Sequence, residues 1–311
     1  MTQPNTRPST HFTAILQALL VTFLWSTSWI LIKIGLRDIP ALTFAGLRYL
    51  LAFLILLPIL LRSRQAPVLN KLSKDQWVRL FLLGIVYYTV THGAQFMSIA
   101  YLPAVTANLI LGFTPVVVSL FSTLLLAERT TTLQWIGICI AMIGLTSYFY
   151  PVTLPTGALI GLAAAIIGMV ANASSAIMGR AINRTKSLSP LLVTTISMGI
   201  GAALLLLIAL LAEGLPTLTM SSGLIVFWLA VVNTAFAFTL WNHTLQTLSA
   251  VESSLINTTM AIQIPILAVL FLQETLTPWE MLGLVIAITG IMIVQFAGRQ
   301  TAKRQSGSKL K

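Results

Sequence analysis

Tyr88, His92 and Gln95 fall at i, i+4 and i+7 within one apolar run, so a helix sets all three on one face. Asn172 and Ser175 stand one turn apart in a second run. Glu252, Thr259 and Gln263 share a face at i, i+7 and i+11 in a third. Asn108, Asn233 and Trp25 are isolated polar or amphipathic residues deep in other runs. A polar side chain in hydrocarbon must face protein or water, so these residues nominate a pathway. Their chemistry is recognition by hydroxyls, amides, one imidazole and an indole wall. That set suits a zwitterionic or neutral small molecule, including aromatic or bulky ones. The competing reading is interhelical glue, at about 1 kcal/mol or less per bond. Arg48 sits roughly 12 Å below the outer end of its run at about 1.5 Å per residue. Two roles are open to it: snorkelling or pairing near Asp38, and docking a substrate carboxylate. Lys33, near the end of its run, reads as snorkelling.

Catalytic chemistry is not supported. The seven acids all sit at or beyond the ends of the apolar runs, and His11, His92 and His243 are scattered. The lone cysteine, Cys139, excludes a disulfide or a thiolate metal cluster and reads as packing. No phosphate-binding G-x-x-x-x-G-K-[ST] string occurs, nor an H-E-x-x-H pair, so no cofactor, metal or ATP is expected. A proton-driven carrier usually keeps an acid deep in the membrane, so weak or no proton coupling is expected. The rival classes are an intramembrane lipid-modifying enzyme and a channel.

The runs that hold these residues dominate the chain. Of 311 residues, 57% are hydrophobic and 8% are charged. An ordinary soluble domain is about 25% charged, so this surface belongs in lipid. Ten runs approach the roughly 20 residues a crossing helix needs: 12–36, 41–61, 77–100, 103–126, 132–150, 156–180, 189–212, 222–246, 249–272 and 278–297. Prolines, glycines and capping residues separate them, as at Pro40, Pro103, Pro151 to Pro155, Pro190, Gly214 and Pro278. The first run is too long for a signal peptide and reads as a retained helix. The net charge of +11 follows membrane topology rather than nucleic-acid binding. Fifteen of the eighteen Lys and Arg fall on one side, Arg37 alone on the other, and Lys33 and Arg48 within runs. That census puts both termini in the cytoplasm.

The chain is duplicated. At an offset of 146 residues, LPAVTANLI (from Leu102) realigns with LSAVESSLI (from Leu248). The match continues without a gap to Glu128 on Glu274, Gly137 on Gly283 and Gly144 on Gly290. Five spans per half is an odd number, so the second half enters from the opposite side. The expected fold is an all-α membrane protein of ten spans in an inverted five-plus-five repeat, with substrate near the midplane. The parts are a tail over 1–11, repeats over 12–150 and 156–297, and a basic tail over 298–311. Glu128 and Glu274 end matching helices against the helix dipole, which favours a structural or gating contact. The paired glycines read as close helix packing.

Further motifs carry a resemblance. The first span holds WSTSW (from Trp25) and then Lys33, and the second holds GLRYLLA with Arg48. The fourth ends TPVVVSLFSTLLLAERTT and the ninth PILAVLFLQETLT. Together, over about 12–297, these resemble the EamA-like branch of the drug/metabolite transporter superfamily. That resemblance brings in Pro115, thirteen residues before Glu128, and its counterpart Pro265, as structural or gating prolines. The prolines are out of register, because Ala261 stands at the position matching Pro115. The resemblance implies a multi-pass inner-membrane protein with a central cavity along spans 1, 3, 4, 6, 8 and 9. It also implies export or exchange of small metabolites, often amino acids, with a multidrug exporter as the alternative. The expected partners are a small-molecule substrate and the lipid bilayer, without nucleic acid. The chain itself is expected as a monomer or weak homodimer.

Overall fold

A computed structural model describes residues 8–64, 66–126, 131–150, 157–184, 188–214, 216, 218–244, 247–248, 256–257 and 259–308. Among them the regular elements are all helices. They are α1 (Pro8–Gly35), α2 (Ala41–Arg62), α5 (Thr132–Tyr148), α6 (Ala158–Arg184), α7 (Pro190–Glu213), α9 (Met260–Leu272) and α10 (Pro278–Ser308), together with three composite helices. The composites are α3 (Lys74–Leu83, Gly84–Thr91, His92–Tyr101), α4 (Ala104–Leu111, Thr114–Leu126) and α8 (Met220–Ala230, Val231–Phe236, Ala237–Thr244), and a single helical turn, Ala66–Leu69, lies between α2 and α3. Among the described residues, seven helices are long and apolar enough to cross a membrane. Shorter apolar helices occupy the places of spans 4, 5 and 9. Leu159, Leu211 and Met220 are among many large apolar side chains turned outward, as a lipid-facing surface requires. Residues 298–308, expected as a tail, continue α10 as helix.

Local sequence explains most helix starts. Thr131 and Gln134 cap α5 reciprocally, as do Thr219 and Ser222 at α8, while Ser189 caps α7 with Pro190 in the first turn. α2 and α4 begin after Pro40 and Pro103, which have no side-chain oxygen to offer, so their first N–H groups need a partner from elsewhere.

Two irregularities recur at the repeat offset. The middle segments of α3 and α8 are wound as π-helix over Gly84–Thr91 and Val231–Phe236. Moving the first by 146 residues brings it over the second. In each, a threonine hydroxyl donates to the carbonyl five residues back: Thr91 to Val86 at 2.9 Å and Thr234 to Leu229 at 2.8 Å. π segments of this kind gather at functional sites.

The second irregularity is a break. α4 turns at Gly112 and Phe113, where Phe113 N–H bonds Ile110 at 3.0 Å and Val116 and Val117 bond back to Phe113 at 2.9 and 3.2 Å. Residues 256, 259, 262 and 263, each 146 positions on, repeat that pattern at 3.0, 3.0 and 2.9 Å. The causes differ. In α4, Pro115 has no N–H for the Leu111 carbonyl, and the Thr114 hydroxyl takes that carbonyl at 2.7 Å. At the α9 start, the Thr259 hydroxyl donates to Ile256 O at 2.6 Å, and Pro265 lies inside a continuous helix.

Packing respects the same exchange. α5 pairs with α10 and α2 with α7. The contacts of α1 with α9, α3 with α7 and α3 with α6 recur as α6 with α4, α8 with α2 and α8 with α1. A Cβ on Gly144 would overlap the Ala287 backbone, and one on Gly290 the Ala141 backbone. The repeat-matched glycines therefore allow α5 and α10 to touch backbone to backbone. One apolar core, with Phe44, Phe96 and Met198, joins α2, α3 and α7; a second, with Leu109, Ala141 and Ala287, joins α4, α5 and α10. Trp29 is buried in the first core. Cys139 faces outward rather than packing inward.

Candidate functional site

The candidate residues gather into three clusters. The first joins α1, α8 and α9 at the α9 break. Ser26 Oγ donates to Gln263 Oε1 at 2.8 Å, and Gln263 Nε2 donates to Thr259 Oγ1 at 3.0 Å. Thr22 Oγ1 lies 3.5 Å from the same Thr259 oxygen. On α8, Asn233 Nδ2 donates to Leu24 O and to Thr27 Oγ1. Asn233 Oδ1 and Trp25 Nε1 are both buried without a partner, one an acceptor and the other a donor. The Trp25 ring packs on Phe238 and Trp241 at 5.3 and 5.2 Å between centroids, forming an aromatic wall. Trp25, Thr259 and Gln263 are only half-buried, although they lie mid-span. The half-exposed amide of Gln263 at that depth is accommodated at less cost beside a polar space than beside lipid.

The second cluster sits at the break of α4, against α6. Asn172 Nδ2 donates to Thr114 Oγ1 at 3.3 Å. Ser175 is buried, and its hydroxyl is spent on Asn172 O at 2.8 Å, so it braces its own helix. Asn108 is buried one turn before the break. Pro115 is half-buried beside them and Pro265 is buried in α9.

The third cluster lies among α2, α3 and the π segment of α8. His92 Nδ1 is 2.9 Å from Tyr49 Oη and 3.1 Å from Gln95 Oε1. Its ring stacks on Tyr49 at 4.3 Å and adjoins Tyr87 and Tyr88 at 4.7 and 5.7 Å. Tyr88 is 2% exposed and therefore forms the back of this cluster rather than a pathway wall. Gln95 is half-buried. The π winding of α3 decides which residues reach this cluster, because it rotates Tyr87 and Tyr88 relative to an ideal helix.

Arg48 corrects an expectation. It neither snorkels nor pairs with Asp38, whose carboxylate accepts from Thr219 at 3.4 Å. Arg48 is 5% exposed, donates through Nε to Thr234 Oγ1 at 3.0 Å, and lies with Cζ 5.2 Å from the Tyr49 ring centroid. Among the described residues it forms no ion pair.

Two helix-ending acids hold the chain together: Glu274, for which the sequence suggests a structural contact, and Glu213, which sequence reading missed. Glu213, at the end of α7, accepts from Leu42 N at 3.1 Å, Thr43 N at 2.8 Å and Thr43 Oγ1 at 2.8 Å. Glu274, just after α9, accepts from Ala104 N at 2.6 Å and Val105 N at 3.1 Å. Each acid thus caps the proline-led helix of the other repeat. The missed signal was a proline start without a capping oxygen, opposite a helix-ending acid. Lys33 does not snorkel either; its Nζ donates to Ile99 O and Leu102 O at 2.5 and 2.6 Å, capping the end of α3. Glu128 and Glu252 lie outside the described residues.

Comparison with known proteins gives this arrangement a family. The profile of the EamA-like transporter family matches twice, over residues 12–150 and 159–296. The "Uncharacterized transporter YoaV" of Bacillus subtilis is 25% identical over 291 residues, covering 89% of this chain and 94% of that protein. "Protein PecM" of Dickeya dadantii is 28% identical, covering 81% and 86%. The "Uncharacterized inner membrane transporter YedA" of Escherichia coli is 26% identical, covering 87% of each. One solved crystal structure superposes with a TM-score of 0.64 at 18% identity, covering 94% of this chain and 99% of the other, which speaks to the fold alone. The chain is a multi-pass membrane transporter belonging to the EamA-like transporter family.

Proposed function

We propose that this transporter is an alternating-access carrier for small metabolites, and for amino acids first among them, including aromatic and bulky neutral ones. In this reading it has ten spans in an inverted repeat, lies in the inner membrane with both termini cytoplasmic, and works as a monomer or weak homodimer. The observation that carries it is the first cluster. An unpartnered indole N–H and an unpartnered amide oxygen stand beside an aromatic wall, at the break where α1 meets α9. One donor and one acceptor suit a zwitterion, and the wall suits an apolar side chain. Broken helices at matching places in two repeats are where such carriers hold substrate. No acid lies among these residues, which supports weak or no proton coupling and disfavours cationic drugs.

Counterflow of radiolabelled phenylalanine and leucine in proteoliposomes tests this reading, with and without a pH gradient. Saturable counterflow, little changed by the gradient, is expected. Several-fold gradient-driven accumulation that is lost in His92→Ala overturns the uncoupled mechanism. Non-saturating flux without counterflow means a channel, and a chemically altered product means an enzyme.

A further inference from the structure

Arg48 carries a charge for which the described protein supplies no counter-charge. Its guanidinium is buried between α2 and the α8 π segment, and its hydrogen-bond partner is one neutral hydroxyl. A guanidinium has five donors in a planar fork, so most of them face no protein acceptor here. Stacking near the Tyr49 ring softens the burial without neutralising the charge. A second orphan stands in the same group of tyrosines. His92 is 8% exposed, both hydrogen-bonding neighbours sit on Nδ1, and its Nε2 has none.

Tyr49 joins the two, with Arg48 on one contact and the stacked imidazole on the other. Gln95, half-buried and bonded to His92, leads outward from them. Thr234, which holds Arg48, directly follows Asn233, which holds α1. The π segment thus carries neighbouring residues into the first and third clusters.

We infer that the missing counter-charge is a carboxylate carried by the transported molecule, bound by the free N–H groups of Arg48, with His92 Nε2 meeting a second polar group. Planar, forked pairing with a carboxylate is the match that a guanidinium makes best. Arg48 then sets specificity: an acid is accepted, while its amide and the corresponding amine are refused. This rests on the amino-acid reading above and narrows it to the carboxylate end of the cargo.

The test uses the full chain purified in detergent, with benzoate, benzamide and benzylammonium as probes at matched ionic strength. Benzoate is expected to raise the thermal midpoint, and the other two are not. In Arg48→Gln the half-saturating benzoate concentration is expected to rise by about tenfold or more, the scale of one lost charge-assisted bond. In Arg48→Lys, which keeps the charge without the fork, it is expected to rise less. If the glutamine variant does not fold, the wild-type probe series and the lysine variant decide. A benzoate shift that is absent, equal in wild type and variant, or matched by benzylammonium overturns the inference. Phenylalanine counterflow separates this from the broader reading. Flux lost in Arg48→Gln supports the carboxylate role, and flux retained there overturns it. Benzoate binding through Arg48 without amino-acid flux in the wild type upholds a carboxylate site and overturns the amino-acid cargo.

Discussion

The α5–α10 pair and the α4–α9 pair are both related by the repeat, yet they keep different things. In α5 and α10 both residues and geometry are kept: Gly137 and Gly144 face Gly290 and Gly283 with backbones in contact. In α4 and α9 the break is kept and the chemistry is not. Pro115 with Thr114 makes the one, and Thr259 with Gln263 occupies the other. A close backbone approach tolerates only glycine or another small residue, so duplication cannot drift there. A helix break can be made in several ways, so the side chains around it are free to become a substrate site. In the proposed carrier, the symmetric pair is the scaffold and the asymmetric pair is the place for recognition.

The comparison breaks most easily at the scaffold. Gly144→Leu or Gly290→Leu should abolish the monodisperse peak in fluorescence-detected gel filtration, because there is no room for even a Cβ. Gly223→Ala, with nothing within 4 Å of the added carbon, should leave that peak intact. A normal elution profile for Gly144→Leu would mean that α5 and α10 are not in backbone contact.

On the recognition side, Gln263→Ala and Asn233→Ala should each cut counterflow about tenfold, the scale of a lost polar contact with cargo. Their thermal midpoints should fall little, since interhelical bonds in membranes average about 0.6 kcal/mol. Large midpoint losses with unchanged flux would reassign both residues to packing.

Between these lie the caps that tie one repeat to the other. Glu213→Ala and Glu274→Ala should each cost about 1 kcal/mol, read as a lower unfolding midpoint, by leaving two helix N–H groups unpaired. A midpoint equal to wild type for both would remove the capping role. The smallest effect belongs to Cys139→Ala: an outward-facing side chain on α5 should change neither flux nor midpoint.

Much of the fold was legible from residue order. The apolar runs, the prolines between them and the offset of 146 residues anticipated where helices start and stop. Run length did not anticipate the shorter helices: runs 4 and 9 span 24 residues each in the sequence, yet the described helices there are shorter. Among the candidate site residues, Trp25, Asn233 and the pair Thr259 and Gln263 were nominated on three separate runs and stand in one cluster. Tyr88 and Ser175 were nominated equally, and one is a buried wall and the other a bond within its own helix. Periodicity says which residues share a face, but not which neighbour that face meets.

Sequence by itself determined the membrane class, the duplication and the paucity of internal acids, because composition, charge placement and self-similarity are properties of residue order. Tertiary structure alone decided that Arg48 is buried without an ion-pair partner among the described residues, and that Glu213 and Glu274 cap helices of the opposite repeat. It also decided that α3 and α8 carry matching π segments. The reason is physical. A helix interior has the same hydrophobic period whichever way the helix is turned, while burial, capping and pairing depend on how far each helix rotates about its axis and on what stands against it.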